Sequence, residues 1–265
     1  MMSRLSSLPL LRMTSALGVL LLSAAFSHGA LVVNPGITIT HNLRVQPIIV
    51  QSSVSSPSTF FGTAGQQTII EGLVDTIWAQ AGIDVTFLAP TSYTNDFAYS
   101  GTPGDNSPRP TVDLNTIVNS ASIPPLNADP TVLNMFFVQI VPGFSQTSLN
   151  TSNGLAFVDG NGVAMWVGSN LLSFTDGQEV IASVVAHEIG HNLGLPHLVE
   201  DFNLMEEGGS PNQGERINTT QIATIFTNNG GADGFDLLVP VPEPSGVLMA
   251  FFACGTLCIS RRRRA

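Results

Sequence analysis

The sequence has no lysine, and its two cysteines, Cys254 and Cys258, both stand close to the C-terminus. With no thiol elsewhere, no disulfide can staple the body of the chain, and a metal held there must be bound through nitrogen or oxygen. Positive charge is equally sparse. All nine basic residues are arginines, and only Arg44, Arg109 and Arg216 lie between residues 31 and 240. Every acidic residue except Glu243 falls in that same span, within a chain of net charge -10. Such a surface repels phosphate backbones, which argues against nucleic acid as a partner.

Apolar runs mark both ends. Arg4 and Arg12 precede the run Ala16 to Leu22, which gives way to the small residues Ser23, Ala24 and Ala25. A basic segment, a short apolar segment and a small-residue zone make a secretory signal over 1–30, cleaved after Ala25 or Ala30; a retained membrane anchor is the alternative. At the far end, Val241-Pro242-Glu243-Pro244-Ser245 leads into an apolar stretch from Gly246 to Ile259 and then Arg261 to Arg264. That stretch is marginal for a full span, and its arginine cluster would stay on the cytoplasmic side. This tail, 241–265, resembles the PEP-CTERM sorting signal of Gram-negative bacteria. The resemblance implies an exosortase-type processing partner, transient membrane association through the tail, and a body exported to the cell surface or beyond. Residues 31–240 remain as one domain large enough for a real core.

Within the body, Ile37 to Gln51 reads as a strand that Pro47 pushes toward an edge or a bulge. A Ser/Pro/Gly-rich linker follows over Ser52 to Gly65. Ile69, Ile70, Leu73, Val74, Ile77, Trp78 and Ala81 recur at helical spacing, with Gly82 placed to end the helix. Ile83 to Leu88 alternates as a strand, residues 100–131 form a long polar loop, and Val132 to Val141 reads as a central strand. Gly154 to Val158 and Val163 to Val167 flank the turn Asp159-Gly160-Asn161-Gly162. Asp176 and Glu179 form a capping-box pattern before the apolar run Val180, Ile181, Val184, Val185. A last helix starts at Asn218, with Gln221 at its third position and an Ile217–Ile222 staple, and runs to about Asn229. Calcium is hinted at by Asp159 with Asn161 and by Gly230 to Asp236. A tight hairpin explains the first pair, and the second segment occurs once where such repeats work in stacks.

The chemistry is concentrated in residues 187–197, His-Glu-Ile-Gly-His-Asn-Leu-Gly-Leu-Pro-His. On a helix, His187 and His191 face one side and can share an ion, while Glu188 is offset to reach a water at that ion. Gly194 sits where a left-handed turn costs least, and Pro196 keeps the helix from resuming, so His197 arrives as a third ligand from the loop side. Three protein ligands with one open position is the pattern of catalytic zinc. His41 stands alone and reads as an ordinary strand or surface residue.

Residues 187–205 resemble the metzincin clan of zinc metallopeptidases. The resemblance implies an α+β zincin fold: a twisted mixed sheet of about five strands, three main helices and a long active-site cleft. It makes Met205 the Met-turn residue beneath the metal. It also implies zinc as the cofactor, a protein or peptide substrate lying along the edge segment Gly162 to Gly168, and peptide hydrolysis with Glu188 as general base. The loop Glu206 to Arg216, with Glu206, Glu207 and Glu215, would shape a pocket wall. Leu198 replaces the polar residue that several metzincin families carry after the third histidine, no tyrosine follows the motif, and no upstream cysteine can act as a latch. The family within the clan therefore stays open. Two other readings fit the motif: a surface or matrix protein that keeps zinc without turnover, and a zinc hydrolase of a non-peptide bond.

Overall fold

The computed structural model describes residues 31–54, 56–95, 99, 126–139, 151–174, 176–206, 214–228 and 236–242. The signal segment 1–30, the tail beyond residue 242, most of the loop 100–131, Glu207 and nearly all of the calcium-like segment lie outside them. No helix among the described residues is long and apolar enough to cross a membrane.

Among the described residues seven strands make one mixed sheet: β1 (His41–Gln51), β2 (Ile83–Phe87), β3 (Thr91–Thr94), β4 (Val132–Phe137), β5 (Asn153–Ala156), β6 (Val163–Trp166) and β7 (Leu238–Pro240). Five of them run side by side as β2-β1-β4-β6-β5, and β3 and β7 each add to β1. β1 is parallel to β2, β3 and β4, and β4 is parallel to β6, whereas β5 and β7 are antiparallel to their partners. Among the described residues the α-helices are α1 (Ala64–Trp78), α2 (Gly177–Asn192) and α3 (Thr219–Asn228). A mixed sheet with three helices is the expected α+β architecture, extended by two short strands.

The core explains how the helices are placed. Ile70, Val74, Ile77 and Trp78 of α1 and Ile181, Val185 and Ile189 of α2 pack with Leu43, Val45, Met135, Phe137, Val163 and Met165 on one face of the sheet. Ile48, Val50, Phe136, Ala164 and Trp166 form a second cluster. Alternation along β4 sends Met135 and Phe137 one way and Phe136 the other, so this strand is buried throughout. At roughly 1.5–3 kcal/mol for each large apolar side chain buried, the α2 anchors fix that helix firmly. Ile189 stands two positions from both His187 and His191, so seating it on the core turns both imidazoles to the other side of the helix.

Three local expectations are corrected. First, Pro47 lies in a central strand rather than at an edge. On one side of β1, β2 pairs as far as Val45 and β3 takes over from Ile48, so the missing N–H of Pro47 falls between the two partners and no ladder bond is lost there. Second, the segment from Gly162 to Gly168 is not an edge: β6 is flanked by β4 and β5, and β5 is the outer strand. Third, Asp176 makes no capping hydrogen bond. A 3-10 turn over Leu171–Ser173 lies just before α2, with Gly177 against the Leu171 carbonyl, and Asp176 is already in a helical conformation (φ -94, ψ 0) instead of the extended one a cap needs. A capping box does form on α1, between Thr63 and Gln66, and starts that helix inside the expected linker.

Candidate metal centre

The last turn of α2 determines the site. Gly194 has φ +85; its N–H donates to the His191 carbonyl at 2.8 Å, and the Leu195 N–H donates to the Gly190 carbonyl at 2.9 Å. This is a Schellman closure, which needs a left-handed residue after the helix and reverses the chain within one turn. A side chain at Gly194 would also run into Asn228 at the end of α3. The reversal carries Pro196 and His197 back toward the helix.

His187, His191 and His197 consequently converge: one ligand atom from each lies within 4.8 Å of the other two. The Nε2 atoms of His191 and His197 are 3.2 Å apart. Nitrogens sharing a tetrahedral zinc are separated by about 3.3 Å, given zinc–nitrogen bonds of about 2.0–2.1 Å. His191 is buried, His187 half-buried and His197 exposed. The Nδ1 of His187 is 2.7 Å from the Leu204 carbonyl oxygen, and that of His191 is 2.7 Å from the Leu195 carbonyl oxygen. A carbonyl only accepts, so each Nδ1 carries the proton and each Nε2 presents a lone pair. Burial pushes the His187 ring down to about 4 against the pull of the Leu204 carbonyl, and burial lowers His191 too. Both rings are thus neutral at ordinary pH, the form a metal requires.

Glu188 is 6 % exposed, and burial alone pushes its carboxyl up to about 8. Its side chain lies directly under Gly154 of the outer strand β5, so closely that a Cβ there would overlap Glu188 Cγ. An isolated glycine in a strand is the sequence signal for such an approach, and this residue was not singled out from the sequence. Asn192, also missed, ties the same hairpin to α2. Its Oδ1 accepts from the Gly162 N–H at 2.8 Å, and the Asp159 N–H donates to the His191 carbonyl at 2.9 Å.

Met205 is fully buried, and Gly190 leaves room for its sulfur: a Cβ at Gly190 would come within 2.5 Å of it. Its carbonyl accepts from the Leu198 N–H at 2.9 Å, beside His197. His41 stays apart, its ring 4.8 Å from that of Phe226. Glu206 and Glu215 are described, but most of the loop between them is outside the described residues. Glu215 accepts from the Val32 N–H and so braces the N-terminal segment.

No curated protein matches the sequence. Among crystal structures, the archaemetzincin of Methanopyrus kandleri matches with a TM-score of 0.47 and 14% identity, over 71% of this chain and 95% of that one. Metalloproteinase-II of Bacteroides fragilis matches with a TM-score of 0.45 and 14% identity, over 74% of this chain and 55% of that one. The archaemetzincin of Archaeoglobus fulgidus has a TM-score of 0.39 and 16% identity, over 69% of this chain and 99% of that one. Residues 73–198, just under half of the chain and including all three histidines and Glu188, match the reprolysin-like metallopeptidases of family M12B.

Proposed function

We propose that this protein is a zinc-dependent endopeptidase, with His187, His191 and His197 as the residues that would hold the metal and Glu188 as general base. The observation that carries the reading is the convergence of three ring nitrogens, two of them with fixed tautomers, beside a buried carboxyl. The donor set suits zinc in number, element and spacing. The chemistry zinc supplies when bound is Lewis acidity, which polarises a carbonyl and acidifies water.

The chain's own groups supply the rest. The Leu204 and Leu195 carbonyls hold two imidazoles in the orientation that leaves Nε2 free. The Glu188 carboxylate takes a proton from the attacking water on one oxygen and returns it to the leaving amine nitrogen. Burial makes this carboxylate a stronger base than a solvated one and brings its proton affinity close to working pH. The outer strand β5, which covers Glu188, offers its free edge to an extended peptide through main-chain hydrogen bonds. That edge replaces the Gly162–Gly168 segment in the role. Met205 packs as the floor of the site.

The sequence supports a wider proposal: export through the 1–30 signal, a catalytic domain over 31–240, and processing of the 241–265 tail by an exosortase-type enzyme that leaves the body at the cell surface or released. To test the core reading, the purified protein is assayed for zinc content and for cleavage of a peptide library, with and without chelator. One zinc per chain, internal cleavage and loss of both on chelation are expected. Cleavage that survives complete zinc removal would refute the proposal.

A further inference from the structure

Between the third histidine and α3 lies a polar cluster that the mechanism does not use. Asn203 and Gln221 are both buried, at 2 % and 7 % exposure, and their amides bind reciprocally. Gln221 Nε2 donates to Asn203 Oδ1, and Asn203 Nδ2 donates to Gln221 Oε1, each at 2.9 Å. Asn203 Oδ1 also accepts from the Met205 N–H at 2.9 Å, and Asn203 Nδ2 also donates to Glu200 at 3.1 Å. Both lone pairs and both hydrogens of this amide are therefore occupied. A flipped amide would set a donor against the Met205 N–H, so a single orientation is allowed. Gln221 Oε1 accepts in addition from the Asn218 N–H at 2.9 Å, which locks it to the start of α3.

The clasp holds a short stretch from which two of the three histidines hang. The carbonyl of Leu204 accepts from His187, and the carbonyl of Met205 accepts from Leu198, next to His197. Backbone strain gives an independent sign. Phe202 has φ +62, an uncommon conformation for an aromatic residue, and it is held there by hydrogen bonds with Arg216 on both sides: Arg216 N–H to the Phe202 carbonyl at 2.9 Å and Leu204 N–H to the Arg216 carbonyl at 2.8 Å. Strain of this kind persists only where surrounding contacts over-determine it, and it gathers at functional sites.

We infer that the Asn203–Gln221 amide pair is a positioning device for the metal centre, setting the Leu204 carbonyl on His187 and tying the His197 loop to the same turn. The inference rests on the metal reading above. Gln221 touches no ligand; it acts through Asn203 and the Leu204 peptide. Partners at this remove from a metal commonly alter its affinity by about 10–100-fold when lost.

The experiment measures zinc affinity by chelator competition, and the absorption spectrum of the cobalt-loaded protein, for wild type, Gln221→Met, Gln221→Glu and Ile225→Val. Gln221→Met keeps the volume and removes the amide; it should lose zinc affinity about 10–100-fold with an altered cobalt spectrum and unchanged far-UV circular dichroism. Gln221→Glu retains the acceptors for Asn203 Nδ2 and the Asn218 N–H but presents an oxygen to Asn203 Oδ1, so a smaller loss in the same direction is expected. Ile225→Val only trims the α3 core contact; it should lower the melting temperature and leave zinc affinity and the cobalt spectrum as in wild type. A folded Gln221→Met protein with wild-type affinity and spectrum overturns the inference. If that variant does not fold, wild-type behaviour of Gln221→Glu overturns it instead. An affinity loss in Ile225→Val matching its loss of stability would also overturn it, since the effect would then be general loosening. A wild-type protein that binds no zinc refutes the metal reading itself.

Discussion

The centre has two halves built by different means. His187, Glu188 and His191 stand on α2, where helical geometry and the buried Ile181, Val185 and Ile189 fix their directions. His197, Leu204 and Met205 stand on irregular chain, held by the Schellman turn at Gly194 and by hydrogen bonds to Leu198, Asn203 and Arg216. In the first half, one element's packing sets where every functional group starts, and the Leu204 and Leu195 carbonyls only fix the rings of the two histidines. In the second, each group depends on contacts drawn from several places along the chain, so its failures should be local and separable.

The largest expected effect falls on the helix half. Glu188→Gln keeps the shape of a side chain wedged under Gly154 and removes its basicity. Peptide cleavage should fall by about 10²–10⁴-fold with zinc content unchanged, as measured by kinetics and metal analysis on one sample.

Next in size is a pH effect carried almost entirely by that half. In zinc-free protein, stability owed to the neutral His187 ring is complete above 6.5 and is lost as pH falls through about 4. His191 acts in the same direction. Glu188 has the opposite sign: stability owed to its protonated form is complete below 4.5 and is lost as pH rises through about 8. The slopes oppose between 4.5 and 6.5, and only Glu188 acts above that range. Melting temperature in chelator should therefore be highest near pH 6.5 and decline on both sides, with at most about 2 kcal/mol lost on the alkaline side. A flat profile would remove the electrostatic reading of burial.

The two halves separate most directly in a pair of histidine variants. His191→Ala and His197→Ala should both release zinc. Without zinc, His191→Ala leaves the buried Leu195 carbonyl short of a donor and should cost about 1–3 kcal/mol in denaturant titration. His197 is exposed, so His197→Ala should change zinc-free stability by less than about 0.5 kcal/mol. The smallest effect on zinc binding belongs to Met205→Leu, a near-isosteric change at a packing floor. It should cost less than about 1.5 kcal/mol and leave zinc bound.

The sequence revealed the helix half almost completely, because periodicity and the histidine spacing are local signals. Gly194 and Asn218 were legible for the same reason: a left-handed turn and a helix cap each leave a mark within a few residues. What stayed hidden depends on distant partners. Pro47 suggested an edge because nothing local tells that β2 ends and β3 begins beside it. Strand order likewise decided that β5, and not β6, is outermost. Asp176 had the right residue type for a cap but follows a 3-10 turn. Gln221 was visible as a capping residue, while its second role toward Asn203 needed a contact across eighteen positions.

X-ray absorption at the zinc edge, on protein loaded with one equivalent of zinc, tests the shared ion directly. Three imidazole nitrogens in the coordination shell, with no sulfur, are the expected result. A shell with fewer imidazoles, or one drawing on Cys254 or Cys258, would mean that His187, His191 and His197 do not hold one metal between them.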